Sequence, residues 1–270
     1  MASHMIGIQI GPDALSIAQV SGGVCLAEAT ARIPQGLILS GIAADAAPMA
    51  ALIRDTLALR GIRGRNCALV LPPQIVTAQR LRLPLMSRTE LELNLPFEFR
   101  DILPRDPAEY DFDYIVLSMD DSAMELYAAA ALRSGVDSWA RLLKTAGLTL
   151  RVAIPQEMAW LNLIRQGRDL PGQLGIAARE GAMLRLSFFS EERFITAKEL
   201  TDDADALRRA LNAYRFSLPP SHPPLRDLIV CAEQMPENPL PELNLHPVSR
   251  LMPGVSHRCI LAAGAALQRK

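Results

Sequence analysis

Residues 6–20 read IGIQIGPDALSIAQV, and the reading of this stretch decides the fold. Ile6, Ile8 and Ile10 alternate with small or polar residues, and Leu15 and Ile17 resume the alternation after Gly11-Pro12-Asp13. Period two on both sides of a tight turn predicts a hairpin of half-buried strands. Gly11 is expected to supply a positive φ at the turn. A glycine hairpin at the head of a domain offers backbone N–H groups to a phosphate, which raises the question of whether a nucleotide is held there.

Working outward, 24–31 (VCLAEATA) reads as a third strand and 49–60 as a helix with Pro48 near its start. The apolar run 67–71 (CALVL) reads as a buried strand parallel to the first. Alternation resumes over 75–85. Ser87, followed by Glu90, is a helix N-cap for 88–99, with Pro96 kinking that helix or ending it early. Tyr110 to Met119 and 124–132 form a second hairpin, 136–146 a helix, 148–152 a strand and 155–165 a helix. Gly167 to Gly172 (GRDLPG) reads as a linker. The second half restarts with strands over 174–178, 182–189 and 193–200, then a helix capped at Asp203 or Asp205, a proline-rich loop (Pro219, Pro220), a strand over 228–231, an irregular stretch over 236–241 and a small-residue helix over 260–267 (ILAAGAAL).

Half of the 270 residues are hydrophobic and the formal net charge is −1. That composition supports a real core and gives no basic excess of the kind nucleic-acid binding needs. No apolar run reaches the ~20 residues that cross a bilayer; a span beyond either end stays open. Residues 1–5 (MASHM) read as an expression tag. Cys25, Cys67, Cys231 and Cys259 have no metal-ligand spacing and read as reduced thiols of a cytoplasmic protein. Asp111 and Asp113 read as the wet face of a strand, and Asp120 and Asp121 as a turn, so no metal site is expected. No nucleophile or triad context appears, and no catalytic residue is assigned.

The two halves open alike, strand–glycine turn–strand–turn–strand–helix, with GIQIG at 7–11 matched by GIAAREG at 175–181. Duplication on this scale predicts two lobes with a cleft between them. With this repeated pattern, the chain resembles the PilM family of type IV pilus assembly proteins, within the actin-like ATPase superfamily, and most of all its short enterobacterial HofM type. The opening hairpin, the stretch ALVLPPQIVTAQRLRLPLMSRTELELNLPFEFRDILPRDPAEYDFDYIVL, the segment VDSWARLLKTAGLTLRVAIPQEMA and the helix ILAAGAAL carry the resemblance. It implies an α/β, two-lobed actin-like (ribonuclease H-like) fold: residues 6–72 and 136–167 as the first lobe, 73–135 as an inserted small α/β subdomain, and 168–270 as a reduced second lobe.

The resemblance also locates a nucleotide site, and this sequence departs from it. Gln9 stands where the family has the aspartate that organises magnesium, and a neutral carbonyl is a poor substitute for a hard dication's carboxylate. Arg179, Glu180 and Gly181 stand where the second phosphate loop has Asp-Ile-Gly; Arg179 is either a phosphate partner or a surface arginine. Ala232-Glu233-Gln234 replaces the glycines that let a purine approach. Gln9, Gly11, Arg179, Gly181 and Ala232 are thus a degenerate site, and the expectation is a pseudo-ATPase with no cofactor, ATP and magnesium being disfavoured. An active ATP switch, a type II secretion GspL-like domain and a small-molecule kinase of the wider superfamily stay open as alternatives.

Function then falls to a surface. The resemblance implies that the N-terminal cytoplasmic peptide of a PilN-like inner-membrane protein binds beside the inserted subdomain. The candidate stretch is 81–99, with Leu81, Leu83, Pro84, Leu85, Leu95, Phe97 and Phe99 as apolar contacts, unless they are the subdomain's own core. An extended peptide there would add to a sheet edge. The expected setting is cytoplasmic, on the inner membrane only through this partner and without nucleic acid, in pilus assembly or DNA uptake. A homodimer and other pilus platform or motor proteins stay open as partners.

Overall fold

The computed structural model describes residues 4–167, 172–181, 183–219, 222–233 and 238–268. Tag residues 1–3, linker residues 168–171, Ala182, Pro220 and the stretch 234–237, which holds Gln234 of the purine loop, lie outside them.

The opening alternation folds as expected: β1 (Met5–Ile10), β2 (Ala14–Ser21) and β3 (Val24–Arg32) form an antiparallel meander. Strand β1 starts one residue earlier than the tag reading allowed, with Met5 opposite Val20. A ribbon of β4 (Ile38–Leu39) and β5 (Ile42–Ala43), which the sequence did not signal, leads to α1 (Ala46–Leu59). Asp45 caps α1 by accepting from the Ala47 N–H at 3.0 Å, so the helix starts before Pro48. Strand β6 (Asn66–Val70) returns parallel to β1.

The inserted subdomain follows: β7 (Val76–Pro84), α2 (Arg88–Phe99), β8 (Tyr110–Met119) and β9 (Ala123–Leu132), with the sheet in the order β7-β9-β8. Helix α2 has a full capping box. Ser87 Oγ accepts the Glu90 N–H, and the Glu90 carboxylate accepts the Ser87 N–H at 2.7 Å. Pro96 does not end it. An interior proline costs about 3 kcal/mol, but Leu91, Leu95 and Phe99 are each at most 2 % exposed, and burying each contributes roughly 1.5–3 kcal/mol. Leu132 N–H donates to the Ile75 oxygen at 2.8 Å and the chain then turns directly into α3 (Arg133–Thr145). The helix therefore begins at 133, three residues before the expected 136. Next come β10 (Thr149–Ile154) and α4 (Gln156–Gln166), and the first sheet closes in the order β10-β6-β1-β2-β3.

The second lobe repeats this topology: β11 (Gln173–Glu180), β12 (Met183–Ser190), β13 (Arg193–Thr201), α5 (Ala204–Ser217), β14 (Asp227–Cys231) and β15 (Asn244–Pro247), in the order β13-β12-β11-β14-β15. Both central strands pair antiparallel on one side and parallel on the other, and each has glycine (Gly7, Gly175) as its third residue. Asp203 caps α5 immediately after β13, so no subdomain intervenes.

The lobes are joined by α4 and by the C-terminal α6 (Ile260–Ala266), which pack against each other between the sheets. Helix α6 lies on β1, β2 and β6 of the first lobe, and α4 reaches β13 of the second. The two glycines Gly7 and Gly264 set this distance: a Cβ on Gly7 would sit 1.7 Å from the Ala262 oxygen, and one on Gly264 2.4 Å from the Ala159 oxygen. Among the described residues, no helix is long and apolar enough to cross a membrane. Burial pushes the Cys67 thiol up to about 12 and Cys259 to about 11, so both stay protonated and unreactive.

Candidate functional site

The first candidate lies where the two hairpin turns meet. Gln9 alternates onto the interlobe face of β1, the face of Gly7, while Ile6, Ile8 and Ile10 enter the core with α1 and α3. The β1–β2 turn closes through Gly11 N–H donating to the Ala14 oxygen at 2.8 Å. Gly11 does not adopt the expected positive φ. Its use is room, since a Cβ there would lie 3.2 Å from the Ala14 oxygen. Gly181 in the opposing turn does take a positive φ of 63°. A Cβ built on it would lie 3.9 Å from Pro12 Cγ, so the two turns face each other with room for a methyl group between them.

The other residues of this site are engaged nearby. Arg179 is exposed and pairs with Asp202 at 2.8 Å, the surface-arginine reading. Ala232 is half-buried against the second lobe's core, and Glu233 pairs with Arg258 at 3.4 Å. Asp111 pairs with Arg133 at 2.9 Å, and Asp120 accepts from Ser122 and Ala123 in its turn. Among the described residues, no three side chains are grouped as metal ligands.

The second candidate is a cleft of about 370 Å³ between the inserted subdomain and the second lobe. On β7, Ala78, Gln79 and Arg80 line the near wall in succession, while the Gln79 side chain also donates to the Glu98 oxygen at 3.2 Å. Phe194, Ile195, Thr196 and Ala197, consecutive on β13, line the far wall. Four consecutive residues are met only along a strand's edge, because its faces show every second residue. Both β7 and β13 are edge strands of their sheets, with main-chain groups that can take another strand.

The cleft floor is a buried ionic junction that sequence reasoning missed. Glu157, 4 % exposed, sits in the first turn of α4. Its Oε1 accepts from Arg185 of β12 through Nε at 3.1 Å and through Nη2, and its Oε2 accepts from the Tyr127 hydroxyl of β9 at 2.9 Å. Arg185 also donates to Glu199 at 3.0 Å. Burial, with the Glu157 carboxylate beside it, pushes the Tyr127 phenol well above its usual range and keeps it a donor. The Tyr127 ring meets Phe194 edge-on at 5.0 Å. One signal was available: 158–161 and 163–164 are apolar all round the helix. A helix so apolar is largely buried, which places a glutamate in its first turn where it needs a partner.

The expected partner-binding residues divide. Leu83, Leu95 and Phe99 are core, at 6 %, 1 % and 0 % exposed; they build the subdomain's interior and offer no surface, which corrects their place as contacts. Leu81 is half-buried, Pro84 and Leu85 are exposed at the end of β7, and Phe97 is exposed on the side of α2 away from the sheet. A larger cavity, about 620 Å³, opens at the other end of β1 by Met5, Asn66, Arg151 and Gln268. It contains none of the predicted residues.

Among solved structures, the chain is similar to a PilM–PilN type IV pilus biogenesis complex, at 19% identity over 99% of this chain and 98% of that one, with a TM-score of 0.77. It is similar to the cytoplasmic domain of EpsL, an inner-membrane component of the type II secretion system of Vibrio cholerae, at 13% identity over 99% and 97% with a TM-score of 0.63. It is also similar to the ethanolamine utilization protein EutJ from Carboxydothermus hydrogenoformans, at 8% identity over 99% and 90% with a TM-score of 0.50. No family model and no curated protein sequence matches it. The chain therefore has a two-lobed α/β fold of the actin-like kind, in a PilM-like form.

Proposed function

We propose that this chain is a cytoplasmic assembly protein of a type IV pilus system that holds an extended N-terminal peptide of a PilN-like inner-membrane protein in the cleft between β7 and β13. The carrying observation is the pair of open strand edges on that cleft, in a fold shared over nearly its whole length with a PilM–PilN complex. Strand addition draws its affinity from main-chain hydrogen bonds and its selectivity from alternate side chains. The cleft suits this: its charged groups are already paired, Arg80 with Glu125 and Arg185 with Glu157, so an uncharged apolar strand meets no unpaired charge. The direct passage from β13 to α5 favours the short HofM type, with pilus assembly or DNA uptake as its setting. Similarity to the EpsL domain favours a second reading, a type II secretion assembly protein with the same mode of capture.

The same reading makes the chain a pseudo-ATPase. Gln9 offers no carboxylate to a magnesium shell, and Arg179 is paired with Asp202. These residues do not fit a magnesium-bound triphosphate. The expected result of a thermal-shift titration with Mg-ATP into the millimolar range is no rise in melting temperature. A rise that saturates below millimolar ligand would restore the active-switch reading.

The peptide reading is tested by fluorescence anisotropy with a labelled PilN N-terminal peptide. Leu85→Glu at the exposed end of β7 and Ala78→Glu on the cleft wall are each expected to weaken binding roughly tenfold or more, the usual loss when a carboxylate enters an apolar contact. Binding unchanged in both variants would remove the cleft from the account.

A further inference from the structure

We infer that the outer face of α2 is a second docking surface, separate from the cleft, and that its partner is a short amphipathic helix with an apolar stripe rimmed by lysine or arginine. Leu91, Leu95 and Phe99 occupy the buried face of α2. Leu93 and Phe97 project from the opposite side, about 200° away at 100° per residue, and are 69 % and 66 % exposed. Two large apolar side chains four residues apart make the ridge that a second helix packs against. The capping box holds the helix that carries them, so the ridge is preformed.

Charge identifies the occupant. Residues 73–135 contain six arginines, no lysine and eleven carboxylates, a net −5 in a chain whose total is −1. Glu90 closes the ridge at one end, and at the other Asp101, 88 % exposed, pairs with Arg100 at 3.5 Å. Glu90 is held ionised by the hydrogen bonds from Ser87. An apolar pair on a subdomain of net −5 suits a basic amphipathic helix. It disfavours a second copy of this chain, because pairing two α2 faces would bring two subdomains of net −5 together.

The test uses the full chain and two labelled helical probes, each two repeats of Leu-X-X-Leu-Leu-X-Leu, with X lysine in one and glutamate in the other. The lysine probe is expected to bind, more weakly as salt rises, and the glutamate probe not to bind. Phe97→Ala and, separately, Glu90→Gln with Asp101→Asn are expected to lower the lysine probe's affinity by roughly tenfold. Glutamine keeps the capping hydrogen bond, so loss in that variant reports charge and not unfolding. Capture of the PilN-type peptide by Phe97→Ala is expected to be unchanged. Equal binding of both probes, or no effect of Phe97→Ala, would overturn the proposal. So would concentration-dependent dimerisation in sedimentation velocity that Phe97→Ala abolishes, which would give the face to a second copy. Loss of PilN-peptide capture in Phe97→Ala would also overturn it, by making the two surfaces one.

Discussion

Gly7→Ala is expected to lower the melting temperature by roughly 10 °C or more, since a loss of about 4 kcal/mol shifts a chain of this size by 2–4 °C per kcal/mol. The reason is distance. The added methyl would lie 1.7 Å from the backbone oxygen of Ala262 and 3.1 Å from the Ala266 nitrogen, where no side-chain rotation relieves the clash. Helix α6 would have to leave β1, and α6 is also what α4 packs against at Gly264. One methyl would therefore loosen the joint between the lobes as well as the first sheet. The natural control is Gly172→Ala, where the new Cβ meets nothing within 4 Å and the change should stay within about 0.5 kcal/mol. Circular dichroism melts of the two variants decide the matter. Equal melting temperatures would mean that α6 does not lie on β1.

What the sequence made legible, and what it did not, follows from the range of each interaction. The opening hairpin, the Ser87 cap and the repeat of the strand order are written in local period and in residues a few positions apart, and all appear in the fold. Strand β15 is not: Asn244-Leu245-His246-Pro247 has no apolar run, and it is a strand because β14 lies parallel beside it, with His246 2.6 Å from Asp227 across the pair. The anchors in 81–99 were ambiguous for the same reason. Every second or fourth residue is apolar there, and only the position of the β7-β9-β8 sheet decides that Leu95 and Phe99 go in while Leu93 and Phe97 stay out. Gly7 carries no local signal of its role, which lies in its lack of a side chain. The interlobe contact that requires this comes from Ala262, at the other end of the chain.

Glu157→Ala is expected to destabilise the protein by about 3–5 kcal/mol, the range for breaking a buried pair by removing one partner. The carboxylate joins three units at once: it belongs to α4, accepts from Arg185 of the second lobe and from Tyr127 of the inserted subdomain, and is itself 4 % exposed. Removing it leaves a buried hydroxyl without its acceptor and takes from the guanidinium its buried carboxylate, while Glu199 stays on the exposed side. Removing both charges is a different matter, because taking two ions out of water is itself unfavourable. The double variant Glu157→Leu with Arg185→Met should thus lose less than the sum of the two single variants, by a coupling of about 1–3 kcal/mol. Urea unfolding of the four proteins gives that coupling directly, and hydrogen exchange should show the loosening first at β9 and β12. Single variants that each lose under about 1 kcal/mol and add without coupling would reduce the junction to an ordinary surface pair. The cleft above it would then have no rigid floor, and a strand entering between β7 and β13 would have to order both walls as it bound.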